Sequence, residues 1–142
     1  MQRSQQEEYI IRCFSLLANE IAIQGDLILP DITYRQWFLL AIIAKMPAKE
    51  THVQAIADMA GSSRQNVKKM LEALEVKGYV RMQPSSQDKR ALSVKLTTKA
   101  KRYLNEQAAS IAQWTQSLFA NYNDEEVRQL LFLLVKLMDE IT

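Results

Sequence analysis

The spacing of apolar residues changes at Gly78, and this change limits the folds that the chain can adopt. Before Gly78, apolar residues recur at intervals of three and four, which is the pattern of helices that bury one face. After Gly78, residues 79–83 and 92–96 alternate apolar with polar side chains, which is the pattern of strands. A polar stretch separates these two runs. The sequence therefore predicts a helical chain that contains one β-hairpin.

Helix-start signals divide the helical part into six segments. At Thr33, Thr51 and Asn123, a Gln or Glu follows three residues later and completes a capping box. The first helix is predicted over residues 5–24, with residues 25–30 breaking it at a glycine and a proline. The predicted fold class is mainly α, an α+β winged helix in which four helices, a hairpin wing and two further helices follow in that order.

Positive charge is concentrated in one part of the chain. Residues 62–102 contain 11 Lys or Arg against 3 Asp or Glu, a balance of +8, whereas the rest of the chain has 7 basic and 13 acidic residues, a balance of −6. The net charge of +2 hides this separation. A basic segment of this kind is typical of a protein that binds a polyanion.

Two short helices at the start of the basic segment have the form of a helix-turn-helix, with the turn at Gly61 and Ser62. The apolar positions of the second helix, from Val67 to Leu74, leave its polar side chains on the opposite face. Arg pairs twice with guanine, Asn and Gln pair twice with adenine, and Ser and Lys contact phosphates. The predicted DNA contacts of this helix are Ser62, Ser63, Arg64, Gln65, Asn66, Lys68 and Lys69.

The predicted wing contributes a second set of DNA contacts, Asp88, Lys89 and Arg90. Asp88 and Arg90 are two residues apart on a strand-like segment, so their side chains point to the same side. An acid placed there orients the guanidinium for entry into a narrow minor groove, where the negative potential is deepest. The alternative is an exposed ion pair without a binding role.

Residues 55–63, 67–74, 77–81, 88–90 and 96–97 together resemble the multiple-antibiotic-resistance regulator (MarR) family. The resemblance extends over nearly the whole chain. It implies a triangular dimer in which the first helix and the last two interleave between subunits, and control of promoters at pseudo-palindromic sites. It also implies that the arginine of the wing enters the minor groove, positioned by the aspartate two residues before it.

The terminal helices also predict a homodimer without the resemblance. Their apolar faces exceed what a small winged-helix domain can cover, and uncovered apolar surface of this kind usually marks an interface. The predicted domains are residues 1–32, an N-terminal dimerisation helix, residues 33–97, a winged helix-turn-helix DNA-binding domain, and residues 98–142, the C-terminal dimerisation helices. Two-fold symmetry would place two recognition helices about one DNA turn apart.

Signals for an effector are weaker. Arg12, Tyr34, Trp37 and Phe38 are candidates for a pocket that binds a small aromatic or anionic molecule, although core positions are the favoured interpretation of Trp37 and Phe38. Cys13 is the one candidate for a redox sensor, but its place on the apolar stripe of the first helix favours a buried, inert thiol. His52 is predicted to be a surface residue or a phosphate contact.

The remaining classes of function find little support. With one His, one Cys and no glycine-rich phosphate loop, the sequence predicts no enzyme, no metal site and no cofactor. No segment has the length and apolarity of a membrane span or the form of a signal peptide, so we expect a cytoplasmic protein. The prediction is a bacterial, ligand-responsive transcriptional repressor that binds double-stranded DNA. The alternatives are a helical protein-interaction module without DNA binding and a thiol-based redox sensor.

Overall fold

The computed structural model describes residues 1–86 and 91–142, and in these residues it contains six α-helices and two strands in the predicted order. A short 3-10 helix, which the sequence did not predict, covers Ala48–Glu50. The prediction of a mainly helical winged-helix fold is confirmed. The elements are α1 (Arg3–Ile28), α2 (Tyr34–Lys45), α3 (Val53–Ala60), α4 (Arg64–Val76), β1 (Val80–Pro84), β2 (Leu92–Leu96), α5 (Thr98–Leu118) and α6 (Asp124–Ile141).

The chain forms two compact units, Met1–Gln107 and Ala108–Thr142. The core of the first unit lies where α2, α3, α4 and the hairpin pack together. Each of these elements contributes the apolar residues that its period places on one side. The fully buried side chains of this core are Leu39, Leu40, Val53, Ile56, Val67, Leu71, Leu74, Val80 and Val94.

Helix α1 is longer than predicted because Gly25 does not break it. Gly25 lies inside the helix and is buried, and a Cβ at this position would stand 2.5 Å from Cδ2 of Tyr34. The glycine therefore permits a close approach of α1 to the first residue of α2. The backbone amide of Tyr34 also donates to Oδ1 of Asp26 (2.7 Å), which ties the two helices at the same place.

The N-terminus of α3 differs from the predicted capping box. The cap is His52, whose Nδ1 accepts a hydrogen bond from the backbone amide of Ala55 (3.3 Å). Thr51 is buried and is engaged elsewhere, since its hydroxyl donates to the carbonyl of Ala48 (3.0 Å) and its own carbonyl accepts from the amide of Val94 (2.7 Å). Gln54 donates to Asp58 (2.9 Å) rather than closing a box.

The hairpin is antiparallel, with Val80 paired to Leu96 and Pro84 to Leu92. Strand β1 thus extends to Pro84, the first residue of the stretch expected to be loop. Val80 and Val94 are buried, while Arg81 and Lys95, which face each other in the register, are exposed. The hairpin therefore covers the core with one side and presents charge on the other.

Helices α1 and α6 leave large apolar side chains uncovered in the single chain. None of the residues of α6 is buried, and Leu131, Phe132 and Met138 are each more than half exposed. On α1, Ile10 and Leu17 are also exposed. Across the described ranges, no helix combines the length and apolarity that a bilayer span requires.

Candidate nucleic-acid interface

The turn between α3 and α4 is a tight left-handed turn at Gly61, whose φ is 65°. The amide of Gly61 donates to the carbonyl of Asp58 (3.3 Å), and the amide of Ser62 donates to the carbonyl of Ala57 (3.1 Å). A side chain at this φ would be strained, which is why glycine ends the helix. Helix α4 begins three residues later, at Arg64, so α3 and α4 form a helix-turn-helix.

Ser63 caps α4, because its hydroxyl accepts a hydrogen bond from the backbone amide of Asn66 (3.1 Å). The remaining amides of the first turn of α4 point outward along the helix axis and carry partial positive charge. This helix start therefore suits an anion such as a phosphate.

One face of α4 is buried and the opposite face is polar and basic. Arg64, Gln65, Lys68 and Lys69 are all exposed, as the helical period predicted. Within the described ranges, no acidic side chain forms an ion pair with Arg64, Lys68 or Lys69. Their charges are therefore available to a ligand. The planar guanidinium of Arg64 and the amide of Gln65 have the donor and acceptor geometry that base edges require.

Ser62 and Asn66 differ from the other predicted DNA contacts in their surroundings. Nδ2 of Asn66 donates to Oγ of Ser62 (2.9 Å), one helical turn away. Both residues also line a cavity of about 340 Å³ between α1, α2 and the helix-turn-helix. This hydrogen bond fixes the orientation of the Asn66 amide, a constraint that the sequence does not reveal.

The hairpin places a pair of like charges side by side. Arg81 and Lys95 are directly opposite in the register, and both are exposed. Like charges in such a pair destabilise a hairpin unless an anion lies near. Neither residue was assigned a role from the sequence, although both fell in the basic segment and on the polar positions of the alternation.

The end of α4 is connected to the hairpin through Glu75, whose carboxylate accepts a hydrogen bond from the amide of Met82 (2.7 Å). At the other end of the hairpin, the amide of Ser85 donates to the carbonyl of Ala91 (2.8 Å). The predicted wing contacts Asp88, Lys89 and Arg90 lie outside the described residues.

The residues predicted to hold an effector are only partly brought together. Tyr34 and Phe38 both line the 340 Å³ cavity, with ring centroids 6.3 Å apart. Burial raises the pKa of the Tyr34 hydroxyl, so it remains protonated at neutral pH. Neither Arg12 nor Trp37 occurs among the described residues that line this cavity. Arg12 instead lies over the ring of Tyr9, 5.7 Å from its centroid.

The structure changes the interpretation of three single residues. Phe38 is 41% exposed in the single chain, so the expectation that it is a core residue is wrong, whereas Trp37 is half-buried. Cys13 is half-buried rather than fully buried. His52 has a structural role that was not predicted, because it caps α3 and forms an isolated β-bridge with Ser93.

Comparison with known proteins places this helix-turn-helix in a family. Residues 31–91 match the model of the MarR family. Similar solved structures include a MarR/EmrR family transcriptional regulator from Acinetobacter sp. ADP1, which is 21% identical, with a TM-score of 0.84 over 95% of this chain and 96% of that chain. MepR of S. aureus, solved as a complex with DNA, is 22% identical, with a TM-score of 0.84 over 92% of this chain and 96% of that one.

A mutant MarR of E. coli, complexed with operator DNA, is 24% identical, with a TM-score of 0.82 over 96% of this chain and 99% of that chain. At these identities the similarity to solved structures establishes the fold. The family match covers the helix-turn-helix itself. Over residues 31–91 the chain matches the model of the MarR family, the family that its sequence motifs indicated.

Proposed function

We propose that this protein is a sequence-specific transcriptional regulator that binds double-stranded DNA as a homodimer, with α4 as the recognition helix. In this proposal Arg64 and Gln65 contact base edges, Lys68 and Lys69 contact phosphates, and the wing residues Asp88, Lys89 and Arg90 act in the minor groove. Ser62, Ser63 and Asn66 complete the contacts at the start of the helix.

The observation that carries this proposal is the exposed basic face of α4. Three cations lie on this face with no acidic partner among the described residues, and the capped start of the same helix presents backbone amides. A protein surface with unpaired charges of one sign is suited to a polyanion. The MarR-family match covers this helix, and the related MepR and MarR structures contain DNA.

Homodimer formation is supported by the uncovered apolar faces of α1 and α6. An exposed apolar helix face of this size usually marks an interaction surface. A second copy of the same chain presents the same faces, so a two-fold dimer covers both at once. Such a dimer presents two recognition helices to one duplex.

Further parts of the proposal follow the sequence predictions. We assign the protein to the cytoplasm and to repression rather than activation. We place a small aromatic or anionic effector in the cavity lined by Tyr34 and Phe38, where Ser62 and Asn66 would transmit its presence to the start of α4. Equilibrium dialysis of salicylate, a small aromatic acid, against the full chain tests that placement, and absence of saturable binding would remove this class of effector.

The experiment that tests DNA binding is selection of duplexes by the full-length chain from a random-sequence pool, followed by titration of the selected duplex at increasing salt. We expect a palindromic consensus. Six to ten phosphate contacts would make the affinity fall about 10³- to 10⁵-fold between roughly 50 and 200 mM salt. The reason is that Lys and Arg side chains release the cations condensed on the DNA when they bind phosphates, and this release is less favourable at high salt.

The same titration on a shuffled duplex of equal length is the control, and it should show weaker binding with a similar dependence on salt. Failure to enrich any sequence, or an affinity that does not change with salt, would contradict the proposal. It would favour a helical protein-interaction module instead.

A further inference from the structure

The connection between α1 and α2 contains an unusual backbone conformation at Asp31. Within residues 1–86 and 91–142, Asp31 is the one residue other than glycine with a positive φ, at 69°. The amide of Ile32 donates to the carbonyl of Pro30 (2.8 Å), which closes a γ-turn around it. Glycine would adopt this conformation at lower cost, so the aspartate side chain is expected to have a use of its own.

The side chain of Asp31 is held by two residues at the end of α4. The hydroxyl of Tyr79 donates to Oδ2 of Asp31, and the ammonium of Lys77 donates to the backbone carbonyl of Asp31 and lies 3.4 Å from Oδ1. Lys77 directly follows α4, and Tyr79 directly precedes β1. We call Asp31, Lys77 and Tyr79 the Asp31 latch.

The first turns of α5 hold the latch from a second side. The hydroxyl of Tyr103 donates to the carbonyl of Pro30 (2.7 Å), and the rings of Tyr103 and Tyr79 meet edge to face with centroids 5.4 Å apart. Lys99 donates to the carbonyl of Lys77 (2.6 Å) and lies 4.5 Å from the centroid of the Tyr79 ring. Both tyrosines are almost fully buried.

The protonation states of Asp31 and Tyr79 are fixed at neutral pH. The hydrogen bond from Tyr79, assisted by the charge of Lys77, lowers the pKa of the Asp31 carboxyl below its ordinary value. Burial, together with this hydrogen bond, raises the pKa of Tyr79 far above its ordinary value, and burial raises that of Tyr103 to about 12. The charged carboxylate of Asp31 thus accepts from the neutral hydroxyl of Tyr79, and a hydrogen bond to a charged acceptor is strong.

These contacts tie the end of the recognition helix to the connection between α1 and α2. In the proposed function, α1 is part of the dimer interface. The angle between α1 and α4 therefore determines the distance between the two recognition helices of the dimer. We propose that the Asp31 latch fixes this angle and thereby the half-site spacing that the dimer accepts. This inference rests on the proposed function. Asp31 and Tyr79 are therefore positioning residues rather than DNA contacts.

The spacing between the two half-sites restricts which duplexes a rigid dimer can bind. One inserted base pair moves the second half-site about 3.4 Å along the duplex and turns it by about 34° around the axis. A rigid dimer cannot follow this change, whereas a dimer with loosely held recognition helices can. Spacing preference therefore separates a positioning role from a general loss of stability.

The test measures binding of the full-length chain to the selected duplex and to the same duplex with one base pair inserted or removed at its centre. The parent should discriminate against the altered spacings by about tenfold or more, as it would against a mismatched base pair. Tyr79→Phe removes one hydroxyl and keeps the buried ring. It should bind the three duplexes within about threefold of one another.

Two substitutions at Asp31 distinguish the effect of its carboxylate from the effect of its backbone conformation. Asp31→Gly keeps the positive φ but lacks the carboxylate, so it should lose spacing preference as Tyr79→Phe does. Asp31→Asn tolerates the same φ and retains an acceptor oxygen, so it should retain most of the preference.

Equal weakening of all three duplexes, with the parental preference unchanged in Tyr79→Phe, would overturn the latch and leave the proposed function standing. Failure of the parent to select any duplex would overturn the proposed function and the latch with it. Circular dichroism of each variant before titration checks that it is folded. If Asp31→Gly does not fold, Tyr79→Phe alone tests whether the latch sets the spacing preference.

Discussion

Leu131→Glu is expected to dissociate the dimer and, with it, to abolish operator binding. Leu131 is 62% exposed in the single chain and lies on the apolar side of α6 that we assign to the dimer interface. Burial of an unpaired carboxylate costs several kcal/mol, and two-fold symmetry introduces the charge twice. The dimer dissociation constant should therefore rise more than about hundredfold, which sedimentation equilibrium measures directly.

The matched control for this substitution is Gln129→Glu, which adds the same charge to an exposed position of the same helix. It should leave the sedimentation behaviour and the operator affinity near those of the parent. A Leu131→Glu protein that remains a dimer would show that this part of α6 does not form the interface.

Arg64→Ala is expected to lower the affinity for the selected duplex by about 1–3 kcal/mol and to relax the preference at one base pair. Arg64 is the first residue of α4 and its guanidinium is exposed, so it is well placed to donate twice to a guanine. The measurement is a comparison of the parent and the variant on the selected duplex and on its single-base substitutions.

Lys69→Ala is the comparison that distinguishes a base contact from a phosphate contact. Removal of a phosphate contact should weaken binding to all of these duplexes alike. It should also reduce the slope of log affinity against log salt concentration by about one. If Arg64→Ala gives the same uniform weakening, Arg64 contacts the backbone and base recognition lies elsewhere on the helix.

The features that the sequence predicted well depend on residues close together in the chain. The capping boxes at Thr33 and Asn123 form as predicted, because each joins residues three positions apart. The basic face of α4 follows equally from the helical period. The chemistry of the interface was therefore predictable wherever one element alone determines it.

The features that the sequence did not predict depend on contacts between distant segments. The Asp31 latch joins residues separated by 46 and 48 positions, and Tyr103 reaches Pro30 across 73. Gly25 was interpreted as a helix breaker, since only the tertiary approach of Tyr34 reveals its use. Thr51 resembled a cap, but the 3-10 helix and β2 engage it instead.

The measurement that tests the central claim most directly is a methylation-interference footprint of the full-length protein on the selected duplex, combined with the mass of the complex. The account predicts one protein dimer per duplex and interference at guanine N7 atoms in two major-groove patches, centred about 10 base pairs apart and related by two-fold symmetry. A single patch, a monomer on the duplex, or no interference in the major groove would contradict it.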